Sequence, residues 1–234
     1  MYVDIHSHIL PGIDDGSSSI EETKKLLLMQ KKQGIGKVIA TPHYDAELSD
    51  APLKHYDRCN RILERLKNEL NGEDFPEVEL GFEVRYFRGI SKSSGIEKMT
   101  LGDTKYMLLE MNTDYSGYTA VEEVVDLSLN FGVTPIFAHI ERYYYDEMFP
   151  HLLEIIDSGY AEAQINADSL LQPKIKKVCL KLLKNGHAKY IATDTHSVDI
   201  RPPHLDSALE VLKKKLGKET TVDIMENSAA IFKR

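Results

Sequence analysis

The sequence predicts an α/β fold built from repeated strand–helix units, and three observations carry that expectation. Short apolar runs alternate with helical stretches along the whole chain. Seven such runs occur, which favours a closed or nearly closed barrel of parallel strands; a doubly wound open sheet is the rival. Six of the seven end on His, Asp or Glu, and in α/β barrels the chemistry gathers at the C-terminal strand ends.

The strands are expected at 2–5 (YVDI), 36–41, 77–82, 105–109, 133–138, 161–165 and 188–193. Ser19-Ile20-Glu21-Glu22 has the pattern of a capping box, opening a helix that ends near Gly34. Leu53, Tyr56, Ile62, Leu63, Leu66 and Leu70 give a helix over 53–70, stopped by Asn71-Gly72. Thr119-Ala120-Val121-Glu122 opens the next, which stops near Gly132. Further helices are expected at 147–158 and 170–185. Pro202-Pro203 suit the first turn of another, running to about Leu216, and a last short one covers roughly 219–232. No repeat or linker divides the chain, so residues 1–234 are expected to form one domain.

Composition narrows the function. The chain of 234 residues carries a formal charge of −8, which argues against a nucleic-acid binder with a basic face. A site for an anion would then need cations, and three divalent ions would bring the charge to about −2. Cys59 and Cys179 lie far apart and imply no disulfide framework. No signal-peptide pattern and no membrane-length apolar run is present. A cytoplasmic protein without membrane insertion is expected.

The strand ends supply the chemistry. The first is followed by His6, His8 and Asp15, the second by His43; the third ends at Glu83 and the fourth at Glu110. His139 follows the fifth, Asn166 the sixth, and Asp194 and His196 the seventh. Mixed imidazoles and carboxylates without thiolate suit Zn, Mn or Fe. Nine ligand-type residues exceed the needs of one ion and fit two or three sharing carboxylates. Of the acidic pair in Asp14-Asp15-Gly16, Asp14 reads as the turn residue. His55, His151 and His187 sit in or at the ends of helices, where surface or packing roles are expected; His204 stays undecided.

The stretches DIHSHILPGIDDGS, ATPHY, GFEVRY, LLEM, AHIERY and ATDTHSVDIRPPHL together resemble the polymerase and histidinol phosphatase (PHP) superfamily. They are most similar to its bacterial branch of manganese-dependent protein tyrosine phosphatases of capsule and exopolysaccharide synthesis. The resemblance runs from residue 4 to 205 and implies a distorted (β/α)7 TIM-like barrel holding three divalent ions. Mn²⁺ is the first candidate, with Fe or Zn as others. It implies one ion on His6, His8, Glu83 and Asp194, a second on Asp15, His43 and His196, and a third on Glu83, Glu110 and His139. It further implies that Arg142 and Arg201 hold the phosphate, and that the partner is a phosphotyrosine protein, a bacterial tyrosine kinase. Residues 84–100 and 143–149 are not distinctive and read as rim loops.

The chemistry follows from the charges. A divalent pair lowers the pKa of a bridging water and clamps a phosphate dianion, which makes a bridging hydroxide the nucleophile. Guanidiniums suit the remaining oxygens. His204 or a metal-linked acid is the candidate to protonate the leaving group. Cys59 and Arg65 match the Cys-x5-Arg spacing of cysteine-dependent phosphatases, but helical periodicity there leaves no loop of free N–H groups. Tyr143, Tyr144 and Tyr145 read as surface or rim tyrosines. The rival functions are a small-molecule phosphatase, such as one for histidinol phosphate, and a non-catalytic metal-binding module. An amidohydrolase-type enzyme would want eight strands and a Lys where Glu110 stands.

Overall fold

The computed structural model describes residues 1–111 and 118–232. Nine parallel strand segments and seven α-helices alternate along the described chain. The order begins β1 (Tyr2–Ser7), α1 (Ile20–Lys32), β2 (Ile35–Ala40), β3 (His43–Tyr44), α2 (Pro52–Leu70), β4 (Glu77–Leu80) and β5 (Glu83–Arg85). It continues β6 (Tyr106–Glu110), α3 (Tyr118–Phe131), β7 (Thr134–Phe137), α4 (Phe149–Asp157), β8 (Glu162–Asn166), α5 (Lys176–Lys184), β9 (Tyr190–Ala192), α6 (Leu205–Leu216) and α7 (Lys218–Ala230).

Two of the seven expected strands, 36–41 and 77–82, are each followed by a second short segment beyond the expected end. β2 stops before Thr41-Pro42 and resumes as β3; β4 stops before Gly81-Phe82 and resumes as β5. Pro42 has no N–H to give to a ladder. Hydrogen bonds nevertheless cross both breaks: Thr41 N–H donates to Ser7 O (2.9 Å), Gly81 N–H to Ala40 O (2.8 Å) and Glu83 N–H to Pro42 O (3.2 Å). The sheet therefore bends rather than ends. Its segments run β1-β2-β4 and then β3-β5-β6-β7-β8-β9. It curls back on its first strand where Ser7 bridges Thr195, His8 N–H donates to Thr195 O and Asp194 N–H donates to His6 O (2.8 Å each). This is the distorted barrel that the motifs implied, and its parallel pairing matches repeated βα units.

Two apolar cores follow from the curl. A small inner one joins Val3, Ile5, Ile39, Leu108, Ile136 and Ala192. A larger outer one packs the helices on the sheet through residues such as Leu26, Leu66, Val124, Leu152, Cys179 and Leu209.

Several boundaries move for physical reasons. β1 extends to Ser7, so His6 lies inside the strand. Between Asp4 and Ser7, β1 carries one more residue than β2. This bulge turns Ile5 and His6 both inward, while Asp4 and the Ser7 hydroxyl face Gln30 of α1. The capping box at Ser19 is half formed. Glu22 N–H donates to Ser19 Oγ (3.2 Å), but the Glu22 carboxylate takes Ser18 N–H and Oγ instead. The helix expected from 170 starts only at Lys176, after a 3-10 turn and Pro173. Pro202 and Pro203 precede α6 rather than begin it: the helix starts at Leu205 and its first N–H groups are capped from afar by Gln33 Oε1. α3 starts at Tyr118, one residue before the expected Thr119.

Candidate metal centre

The inward side chains at the C-terminal rim converge on one place. His6 Nε2 and His8 Nε2 face each other at 3.1 Å. Glu83 Oε2 lies 3.3 Å from both. Asp194 Oδ1 lies 3.3 Å from His6 and 3.5 Å from His8. His43 reaches two ways, Nδ1 to Glu83 Oε2 (2.9 Å) and Nε2 to Asp15 Oδ1 (3.4 Å). His196 Nε2 lies 3.5 Å from the same Asp15 oxygen. On the far side of Glu83, Oε1 meets His139 Nε2 at 2.9 Å, and Glu110 Oε1 stands 3.7 Å from that nitrogen. All nine ligand candidates named from the sequence thus sit in one connected cluster.

Within it, three sets of ligand atoms approach to 4.8 Å or less: His8, Asp15, His43 and His196; His6, His8 and Asp194; and His43, Glu83 and Glu110. These sets differ in membership from the partition implied by the resemblance. The two-way reach of His43 and the position of His8 beside both carboxylates are the reason.

The donor set fits divalent cations. Imidazole nitrogens pointing at each other cannot both keep a lone pair there without a shared proton or cation. His196 Nε2 and His139 Nδ1 are buried with no hydrogen bond among the described residues. His139 and Asp194 also hold left-handed backbone, at φ 35° and 52°, a strain of the kind that gathers at functional sites.

Charge at the cluster is strongly displaced. Burial opposes the charged form of His8, but Asp14, Asp194 and Glu83 outweigh it and raise its pKa well above the usual value. His6 is raised in the same way, burial being overcome by Glu83 and Asp194. Glu83 and Asp194 are held well below the carboxylate range, burial being overcome first by His6. His196 is pushed down to about 4 by burial and by the neighbouring His8.

Around this cluster stands a layer that residue types alone did not disclose. Asp14 is no mere turn residue: its Oδ2 lies 2.8 Å from His8 Nδ1 and accepts from His43 N–H, and its Oδ1 accepts from Gly16 N–H. Its pKa falls to about 2, burial being overcome by His8 and by the two N–H groups. Gln164, buried in β8, presents Oε1 to His6 Nδ1 (3.2 Å) and to His139 N–H (2.9 Å). It also donates to Asn166 Oδ1, and Asn166 donates to Asp194 Oδ2 (2.6 Å). Such partners fix ring orientation and raise ligand basicity. A polar Gln in the middle of the apolar run AEAQIN was the available signal. Gly16 is required by close approach: a Cβ there would stand 2.1 Å from His8 O.

Arg142 and Arg201 come from different loops, after β7 and after β9. Both donate to Asp194 Oδ2, at 2.9 and 2.7 Å, and both remain partly exposed. A cleft of about 260 Å³ opens beside them, lined also by Asp194, Asp168 and His204. His204 Nδ1 lies 3.0 Å from Asp168 Oδ1.

The remaining candidates sort simply. Cys59 is buried in α2 and burial pushes its thiol up to about 12, which removes the thiolate that the Cys-x5-Arg spacing would need. His55 is buried between Tyr44 and Phe82, while His151 and His187 lie beside the outer carboxylates of Glu154 (4.0 Å) and Asp157 (3.4 Å). Tyr143 corrects the expectation of three rim tyrosines. It is buried, and its hydroxyl both donates to Met111 O and accepts from Met111 N–H, so it ties the loop after β7 to the end of β6.

The chain is similar to known proteins along nearly its whole length. A family model described as capsular polysaccharide synthesis, CpsB/CapC, matches residues 2–233. The chain is 30% identical over 239 residues to the tyrosine-protein phosphatase CpsB of Streptococcus pneumoniae, covering 94% of this chain and 95% of that one. It is 31% identical to the tyrosine-protein phosphatase YwqE of Bacillus subtilis, over 99% of this chain and 91% of that one. A crystal structure from work on those two proteins, described there as unique metal-dependent tyrosine phosphatases, superposes with a TM-score of 0.83 at 30% identity, covering 98% of this chain and 93% of that one.

Proposed function

The chain belongs to the CpsB/CapC capsular polysaccharide synthesis family, and from that premise we propose that it is a metal-dependent protein-tyrosine phosphatase. The observation that carries the reading is the convergence of Arg142 and Arg201 on Asp194 Oδ2, whose other oxygen faces His6 and His8. Two guanidiniums at the edge of a cluster of metal-ligand side chains suit a phosphate dianion.

Nine clustered ligand candidates are enough for three divalent ions, with Mn²⁺ the first choice, and the assignment adopted is the one the resemblance implies rather than the nearest-atom grouping. His6, His8, Glu83 and Asp194 would hold one, Asp15, His43 and His196 another, and Glu83, Glu110 and His139 the third. Such ions supply charge on phosphate oxygens and an acidified water. The chain's own residues do the rest. Asp194 keeps both guanidiniums at the cleft mouth, and their remaining N–H groups, without another hydrogen bond among the described residues, would serve phosphate oxygens. Asp14 and Gln164 hold the rings of His8 and His6 in one orientation. Asp168 favours the His204 tautomer with its proton on Nδ1, and a protonated His204 would donate to a leaving oxygen. A phenolate needs that proton less than an alkoxide does.

The substrate is then phosphotyrosine in a protein, and the proposed partner is a bacterial tyrosine kinase of capsule or exopolysaccharide synthesis, met in the cytoplasm. No helix among the described residues is long and apolar enough to cross a membrane.

The test is hydrolysis of a phosphotyrosine peptide by metal-stripped protein with Mn²⁺ titrated back. Activity should return with metal, persist in Cys59→Ser and vanish in Asp194→Ala, His196→Ala. Metal-loaded protein that cleaves histidinol phosphate but no phosphotyrosine peptide would instead establish the small-molecule reading.

A further inference from the structure

Three large apolar side chains stand almost fully in solvent on loops at the C-terminal rim: Leu48 (86% exposed), Tyr145 (84%) and Ile200 (86%). Single exposed apolar residues are ordinary. Two of these three are not placed at random, for Tyr145 and Ile200 line the cleft that holds Arg142, Arg201 and Asp194, and Leu48 does not. Each also travels with an arginine. Tyr145 follows Arg142 by three residues in the loop after β7, and Ile200 immediately precedes Arg201 in the loop after β9.

The Tyr145 ring and the Ile200 backbone are both supported. The Tyr145 ring meets Tyr144 edge-on at 5.0 Å, and Tyr144 meets Phe149 in the same manner at 5.1 Å. Ser197 Oγ accepts from Ile200 N–H and Arg201 N–H, each at 3.2 Å, while Arg201 O accepts from His196 N–H and Thr195 Oγ. The same bonds that fix Arg201 therefore fix Ile200. A phosphate held by the two arginines would project its ester group between an aromatic and a branched aliphatic wall. An aryl ring there would remove apolar surface of both side chains from water. The short chain of a phosphoserine carries much less apolar surface to offer them.

We propose that Tyr145 and Ile200 are the specificity-determining walls of the cleft, gripping the substrate ring and selecting aryl over alkyl phosphate monoesters. The inference rests on the phosphatase reading above and names the residues that make it tyrosine-selective.

The experiment compares phenyl phosphate with ethyl phosphate, and a phosphotyrosine peptide with its phosphoserine counterpart, on the Mn²⁺-loaded chain. Each variant is judged by its aryl-to-alkyl ratio relative to the unaltered chain, which cancels the intrinsic difference in leaving groups. Tyr145→Ala with Ile200→Ala should raise KM for phenyl phosphate about tenfold or more. Its kcat and the ethyl phosphate kinetics should stay within about twofold. Tyr145→Phe with Ile200→Leu should keep the original ratio, and Leu48→Ala, equally exposed but outside the cleft, should change nothing. An unchanged ratio in the double alanine variant overturns the assignment and leaves the phosphatase reading standing. So does an equal loss of kcat on both esters, which would mean the loops merely position the arginines. Absence of hydrolysis of any ester by the unaltered, metal-loaded chain overturns both readings together.

Discussion

Asp14 shows what one side chain can do beside a cluster of ligands. Its carboxylate holds His8 Nδ1 and the His43 N–H, so it orients two rings at once. Asp14→Asn is expected to weaken Mn²⁺ binding about 10–100-fold while the far-UV circular dichroism stays unchanged, measured by calorimetric titration. Its titration also has a sign. A carboxyl held at about 2 in the folded chain, against an ordinary value near 3.8, contributes stability that is fully present above about pH 4 and lost as pH falls toward 2. The histidines run the other way. In the metal-free chain His6 and His8 have raised pKa values, because Glu83, Asp194 and, for His8, Asp14 outweigh burial, so both hold a proton to higher pH than an ordinary imidazole. Metal must displace those protons. Loading at pH 7 should therefore release protons, and apparent affinity should rise with pH; calorimetry in buffers of different ionisation enthalpy reads the count. Metal uptake without proton release would contradict this.

At the scale of elements, the site depends on irregularities. The bulge in β1 brings His6 inside, and the breaks at Thr41-Pro42 and Gly81-Phe82 let β3 and β5 place His43 and Glu83 in register with each other. A regular strand through 2–8 would have turned His6 outward toward α1, since side chains alternate. The start of α6 is equally indirect. Gln33, just past α1, accepts from Leu205 N–H (2.7 Å) and Asp206 N–H (3.3 Å) and donates to Pro203 O (2.6 Å). Gln33→Ala should cost about 1 kcal/mol, as loss of a cap does, read as a lower melting temperature with metal affinity nearly intact. A simultaneous loss of His204-dependent activity would show that the cap also positions the cleft. Sequence patterns placed each of these helices, but the Pro202-Pro203 rule put the start of α6 three residues early because the true cap is 172 positions away from Leu205.

The whole molecule closes its barrel at a seam made partly by the site. Asp194 N–H bonds His6 O and His8 N–H bonds Thr195 O, so the ligand-bearing segments are also what joins the last strand to the first. Asp4, buried beneath them, accepts from Thr193 N–H (3.0 Å) and Thr193 Oγ (2.6 Å) across the same seam. Cations bound there would hold both ends of the sheet. Metal at 100 times its dissociation constant should stabilise the fold by about 2.7 kcal/mol, which for a chain of this size raises the melting temperature by about 5–11 °C. Scanning calorimetry with and without chelator measures it, and equal melting temperatures would exclude the seam as a metal-braced closure. The sequence by itself determined the α/β alternation and the nine ligand candidates, because apolar periodicity and residue type at strand ends are local properties; the two arginines came from the motif resemblance. Only the tertiary structure decided the split strands, the role of Asp14 rather than a turn, the burial of Tyr143 and the cleft between Tyr145 and Ile200. Those depend on which segments meet when the sheet curls, and contacts between residues far apart in the chain leave no periodic trace in the sequence.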